Sequence, residues 1–202
     1  MDSFSFFISI YIKFFFIMTP FFVLSMFLSM TKDLDEPHKK RIAIKVTTAI
    51  IVITMILLFF GKYIFDIFGI TLDAFKIGAG ALLFLNALDL IRQDVNEKIS
   101  SPTDISKHTV VPLAIPVTVG PGTIGALLVM GADMTTVSTL SIGSLALICS
   151  VLSVGLMLYL SSGIQKIVGE TGLIVLSKIT GLVLAALSAQ LVFGGIKSFL
   201  EL

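Results

Sequence analysis

Val111-Pro112-Leu113-Ala114-Ile115-Pro116-Val117-Thr118-Val119-Gly120-Pro121-Gly122-Thr123-Ile124 is an apolar stretch that a regular helix cannot cross. Three prolines fall within ten positions, and Gly120 and Gly122 flank the last of them. Each proline lacks an N–H and clashes with the carbonyl four residues back. In hydrocarbon every backbone group left unpaired costs several kcal/mol. The stretch must therefore be packed inside protein or face a watery cavity. A helix restarting near Pro121-Gly122-Thr123 would present free N–H groups and the positive end of its dipole, an arrangement that suits an anion such as a carboxylate.

The surroundings of this stretch place it in a membrane. The chain has 202 residues, 56% hydrophobic and 13% charged, with a mean hydropathy of +1.05. A soluble domain keeps roughly a quarter of its residues charged. The apolar residues form six blocks, Phe4–Met30, Ile42–Phe60, Phe75–Ile91, Val110–Met130, Leu140–Leu160 and Leu173–Leu200. Blocks of about 20 apolar residues are the length of one bilayer crossing. The connections, Thr31–Arg41, Gly61–Ala74, Arg92–Thr109, Gly131–Thr139 and Ser161–Gly172, are short and polar. No A-x-A-like cleavage site follows the Phe-rich start, so the first block reads as a retained span. Residues 1–202 thus form a single transmembrane domain.

Lysine and arginine concentrate in the odd-numbered connections. Lys32, Lys39, Lys40, Arg41 and Lys45 lie at the first, Arg92, Lys98 and Lys107 at the third, and Lys166 at the fifth. The positive-inside rule makes those connections cytoplasmic and puts both termini outside, in a multi-pass protein of the plasma (inner) membrane. A weak repeat is also visible. Thr19-Pro20 matches Gly120-Pro121, Lys76-Ile77 matches Lys178-Ile179, and Leu85-Asn86-Ala87 matches Leu187-Ser188-Ala189. The halves run roughly 1–100 and 101–202. Three spans in each half make the two copies inverted, a recurring transporter architecture.

The first block carries the counterpart of the broken stretch, Met18-Thr19-Pro20. With one proline followed by Phe21 and Phe22 it reads as a kink, its ladder repaired by the Thr19 hydroxyl. The plainer reading of all these prolines is ordinary kinking, which membrane helices tolerate; the clustering at Pro116 and Gly120-Pro121-Gly122 favours a site. Lys76 and Lys178 open the third and sixth spans at corresponding places. They are gate charges at opposite faces or lysines snorkelling to the interface. Asn86 and Gln190 lie deeper, where they bind solute or hydrogen-bond between helices. Lys13 is the charge without a ready place: either the span begins after it or it faces protein. The small residues Gly78–Ala81, Gly181, Ala185, Ala186 and Ala189 are expected to let helices approach closely. Cys149 is a lone, buried-type cysteine, and His38 and His108 lack metal-ligand spacing, so no metal site is expected. No catalytic constellation appears at membrane depth, which counts against an enzyme.

These residues resemble the MarC family of integral membrane proteins over nearly the whole chain. Pro112-Leu113-Ala114-Ile115-Pro116 followed by Gly120-Pro121-Gly122-Thr123-Ile124 is similar to the family's most specific motif. Phe68-Gly69-Ile70 and Phe75-Lys76-Ile77-Gly78-Ala79-Gly80-Ala81-Leu82-Leu83 resemble its entry to the third span, and Thr31 through Lys45 its charged first loop. The family usually has Asn-Pro in the first span, where this chain has Thr19-Pro20. The resemblance implies six spans, and some members are similar to sodium- or proton-coupled transporters of small neutral amino acids such as alanine and glycine.

The expected fold is therefore all-α: a polytopic membrane protein with six transmembrane helices in two inverted repeats, the first and fourth helices interrupted. The expected function is secondary transport of small neutral amino acids. Its candidate substrate-binding residues are Thr19, Pro20, Pro116, Thr118, Gly120, Pro121, Gly122, Thr123, Asn86 and Gln190, with Lys76 and Lys178 as gates. Carbonyls freed by Pro116 and Pro121 are candidates for a coupling sodium ion; no other cofactor is expected. The partners are the lipid bilayer and a small solute, with homo-oligomerisation left open and no nucleic acid. The alternative is a structural or regulatory membrane protein without a transport cycle.

Overall fold

The computed structural model describes residues 3–92 and 118–200, and all its regular elements there are helical. Pro112, Pro116 and nearly all of the third connection lie outside the described residues. The first block forms two helices, α1 (Ser3–Ile17) and α2 (Pro20–Met30), bent by 40° at the break between them. α3 (Glu36–Phe68) and α4 (Leu72–Arg92) complete the first half. The second half holds α5 (Pro121–Asp133), α6 (Val137–Tyr159) and α7 (Ser161–Phe199), the last carrying non-helical backbone at Gly169 (φ 71°). Four helices are long and apolar enough to cross a membrane, and the bent α1–α2 pair makes a fifth candidate. The sixth crossing expected from the sequence would need residues outside the described ones.

Several boundaries differ from the apolar blocks. α3 begins six residues before Ile42 and runs eight past Phe60. Asp35 caps its start by accepting the backbone N–H of His38, and Pro37 sits in the first turn, where a missing N–H costs nothing. Gly69 ends it with left-handed backbone (φ 62°). The polar residues Ser161–Gly172 likewise belong to helix α7 rather than to a loop. Apolar blocks mark the length immersed in lipid, whereas a helix continues into water wherever its charged residues are good helix formers.

The antiparallel pair α4–α7 is the most extensive contact, followed by α4 on α5, α1 on α6 and α3 on α5 and α6; α2 also packs on α7. Glycines set the closest approaches. An added methyl at Gly80 would meet Val192, at Gly181 the Ala87 carbonyl, and at Gly195 the Asp73 carbonyl. Those three contacts run the length of α4–α7. α3 and α5 cross with one glycine from each side, Gly61 against the Leu128 carbonyl and Gly131 against the Leu58 carbonyl. Close backbone approach through small residues is how membrane helices associate when lipid removes the hydrophobic drive between them. Gly78, expected to join this seam, faces open space, while its neighbour Ala79 packs on Gly125.

One apolar core joins α1, α2, α3, α5 and α6 around Phe14, Met18, Phe27, Ile50, Leu127 and Leu147, each nearly or fully buried. A smaller one joins Ile17, Leu83, Ala87, Ala126 and Leu184. The outer surface is also apolar: Val52, Ile56, Phe59, Leu145, Leu152, Leu156 and Leu182 are all exposed. A bundle greasy inside and outside is solvated by lipid, not water.

Candidate functional site

Both broken stretches restart at their prolines. Pro20 and Pro121 each occupy the first turn of a helix, α2 and α5, at the corresponding positions expected from the repeat. The two breaks meet: the Thr123 hydroxyl donates to the Ile17 carbonyl at 3.3 Å. Ile17 is the last residue of α1 and Thr123 the third of α5. The starts of α2 and α5, each with uncapped N–H groups and a positive dipole end, thus lie at one place in the bundle.

The first-span break is more severe than a kink. Thr19 adopts left-handed backbone (φ 48°, ψ 58°), and its hydroxyl makes no capping bond. It does not repair the ladder. Main-chain bonds do so in part, Met18 N–H to Phe14, Thr19 N–H to Phe16 and Val23 N–H to Thr19. A β-branched residue held in this region stores about 1–2 kcal/mol of strain. Such strain persists only where the surrounding packing fixes it.

Of the predicted solute-binding residues, the structure brings Thr19, Pro20, Thr118, Gly120, Pro121, Gly122 and Thr123 together around the meeting point. Thr19, Thr118 and Thr123 are buried there. Asn86 joins them from α4: a methyl added at Gly122 would stand 2.7 Å from its Nδ2 and 2.9 Å from Leu83 Cα. Pro116 lies outside the described residues. Lys178 is half-buried on α7 and lines no part of the cavity described next.

A cavity of about 410 Å³ opens between helix ends at one face of the bundle. Its rim comes from the start of α1 (Phe6), the end of α7 (Ser198), the start of α6 (Thr139) and the end of α5 (Asp133). Along α1 the lining continues through Ile10 and Lys13 to Ile17, the residue whose carbonyl receives Thr123. The cavity therefore stops at the break, with the candidate binding backbone sealed beneath it. Gln190 and Lys76, both singled out from sequence, line it. Lys76 Nζ stands 3.0 Å from Asp133 Oδ1 and 3.7 Å from Asp73 Oδ1. Lys13, the charge without a ready place, faces this cavity.

Asp133 was missed by sequence reasoning. It lies just past an apolar run, and nothing in one sequence pairs it with Lys76 of the other half. Tyr11, Ser150 and Ser153 were not read as a unit either. The Tyr11 hydroxyl pairs with Ser153 Oγ at 2.8 Å, and Ser150 donates to the Tyr11 carbonyl at 2.9 Å, fixing α1 on α6. Among the described residues no group of His, Cys, Asp and Glu could hold a metal ion.

Long apolar helices, an apolar exterior and a broken pair of helices beneath a charged cavity define a multi-pass integral membrane protein. The chain matches the description "MarC family integral membrane protein" over residues 4–200, and it belongs to that family. It is 32% identical to UPF0056 membrane protein MJ1677 of Methanocaldococcus jannaschii, over 96% of this chain and 98% of that one. A UPF0056 membrane protein of Aquifex aeolicus is 31% identical over 92% of this chain and 89% of its own. YhcE of Escherichia coli is 28% identical over 93% and 92%. No solved structure matches the chain.

Proposed function

We propose that this protein is a secondary transporter of small neutral amino acids such as alanine and glycine, built from two inverted three-span repeats. The observation that carries the reading is the meeting of the two helix breaks, marked by the Thr123–Ile17 hydrogen bond, at the end of a charged cavity. Discontinuous helices whose N-termini converge on one point are how inverted-repeat transporters hold a carboxylate. The repeat is supported by the packing. α4 packs on α5 as α7 packs on α2, and α4 and α7 pack on each other. Exchanging the halves maps these contacts onto themselves.

In this reading the solute carboxylate takes the free N–H groups at Gly122 and Thr123, and the Thr118 and Thr123 hydroxyls lie alongside. Asn86 flanks the start of α5. The cavity is the way in, and transport requires the packing of Gly122 on Asn86 and Leu83 to loosen. A cation held by main-chain carbonyls, sodium being the candidate, suits a break that has no acidic side chain beside it among the described residues.

The test is uptake of labelled alanine, glycine and serine into liposomes holding the purified protein, with sodium exchanged for choline in a parallel series. We expect uptake that Gly122→Leu abolishes, because any side chain there strikes Asn86 and the α4 backbone. If no solute moves and Gly122→Leu alters only assembly, the structural or regulatory reading replaces this one.

A further inference from the structure

Among the described residues three charged side chains line the cavity, Lys13, Lys76 and Asp133, and one of them is uncommitted. Lys76 is shared between Asp133 and Asp73. Lys13 is half-buried, lines the same cavity and has no ion-pair partner among the described residues. A lysine drawn below the membrane surface without a counter-ion is costly, and such groups mark solute or ion paths. Asp133, which also lines the cavity, uses one carboxylate oxygen for Lys76, and its side chain is 50% exposed. Among the described residues, an unpaired cation and a half-exposed carboxylate thus line a common space, with Ile10, Met130 and Leu191 supplying apolar wall.

We propose that this cavity is an outer binding site for a small zwitterion, distinct from the helix break. Lys13 takes the carboxylate and Asp133 the ammonium. The charges around the cavity select this class. A dicarboxylate would bring its second carboxylate against Asp133 and Asp73. A diamine would bring its second ammonium against Lys13 and Lys76. A molecule with one charge of each sign satisfies both. Charge pairs inside such a walled space are less screened than in open water, which makes the discrimination effective. Lys13 lies one helical turn from Ile17, on the same face of α1, so solute held there is next to the break. The choice of amino acids as the zwitterion rests on the transporter reading above.

The experiment is equilibrium binding of radiolabelled L-alanine to the full chain in lipid nanodiscs. Alaninamide, propionate, succinate and inorganic phosphate serve as competitors. Lys13→Met is expected to weaken alanine binding at least about tenfold, the size of one charge-assisted hydrogen bond, and Lys13→Arg to restore most of it. Alaninamide and propionate, each lacking one charge, should compete about tenfold less well than alanine itself. Asp133→Asn should remove alanine's advantage over propionate, and it keeps the proposal testable if Lys13→Met does not fold. Undiminished alanine binding in Lys13→Met, or phosphate or succinate competing best, overturns the proposal. If Lys13→Met leaves both binding and uptake intact, this site falls while the transporter reading stands. If alanine binds through Lys13 but never crosses the liposome membrane, the reverse holds.

Discussion

At the residue scale the site rests on two threonines of opposite legibility. Thr123 could be read from the chain, because it follows Gly120-Pro121-Gly122 and a restarted helix exposes its third residue. Its partner could not, since the Ile17 carbonyl is freed only by a break that one proline had suggested to be mild. Replacing Thr123 by Val removes one neutral hydrogen bond between the halves. It should cost about 1 kcal/mol, read as a lowered melting temperature in detergent, while Thr123→Ser should melt as the parent does. Thr19 runs the other way. Its left-handed backbone is strained and its hydroxyl caps nothing, so Thr19→Gly should be neutral or raise stability by up to about 1 kcal/mol. A clear loss of stability would show that its methyl packing outweighs the strain. Asp35 is simpler. The His38 ring hydrogen bond, with the backbone bond from the same residue, holds its carboxyl below the ordinary 3.8. A depressed carboxylate pKa contributes stability that is complete above the unfolded value and lost as pH falls through the folded one. The first turn of α3 should therefore lose amide-exchange protection only as pH drops below about 4.

At the element scale the sequence showed where lipid begins and ends, but not where helices do. Apolar blocks located every helix described. They could not show that α3 reaches out to Glu36 or that the Ser161–Gly172 connection is helical, because charged ends are compatible with either state. Small residues announced close packing without saying which of them is used. A run such as Gly78-Ala79-Gly80-Ala81 covers every side of a helix, and only the partner decides. Gly131 and Gly61 form the α3–α5 crossing and meet backbone atoms, which cannot rotate away. Gly131→Ala should destabilise the protein by about 1–3 kcal/mol, the ordinary cost of overpacking. Gly78→Ala, which meets open space, should be neutral or gain up to about 1 kcal/mol of helix propensity. Thermal melting of the pair in one detergent tests this, and equal melting of both would refute the glycine crossing.

At the scale of the whole molecule, charge separates the cavity face from the opposite one. The rim residues Phe6, Asp133, Thr139 and Ser198 share one face. The opposite face carries the α2–α3 and α6–α7 turns, with Lys32, Lys39, Lys40, Arg41 and Lys166 close by. Lys40 there stacks over the Tyr159 ring at 5.0 Å, which ties the start of α3 to the end of α6. The cavity face holds fewer cations, and Lys76 is neutralised by two carboxylates. The positive-inside rule counts exposed lysine and arginine near span ends, so the basic face is expected to be cytoplasmic and the cavity to open outward. On the far side of the break from the cavity, Gly122 is pressed against Asn86 and Leu83. A Cys149→Ser background carrying Ser198→Cys or Lys166→Cys converts this into a measurement. An impermeant thiol reagent added to intact cells should label Cys at 198 and spare Cys at 166, and permeabilisation should expose both. Labelling in the opposite order would place the cavity on the cytoplasmic side and turn the proposed outer site into an exit.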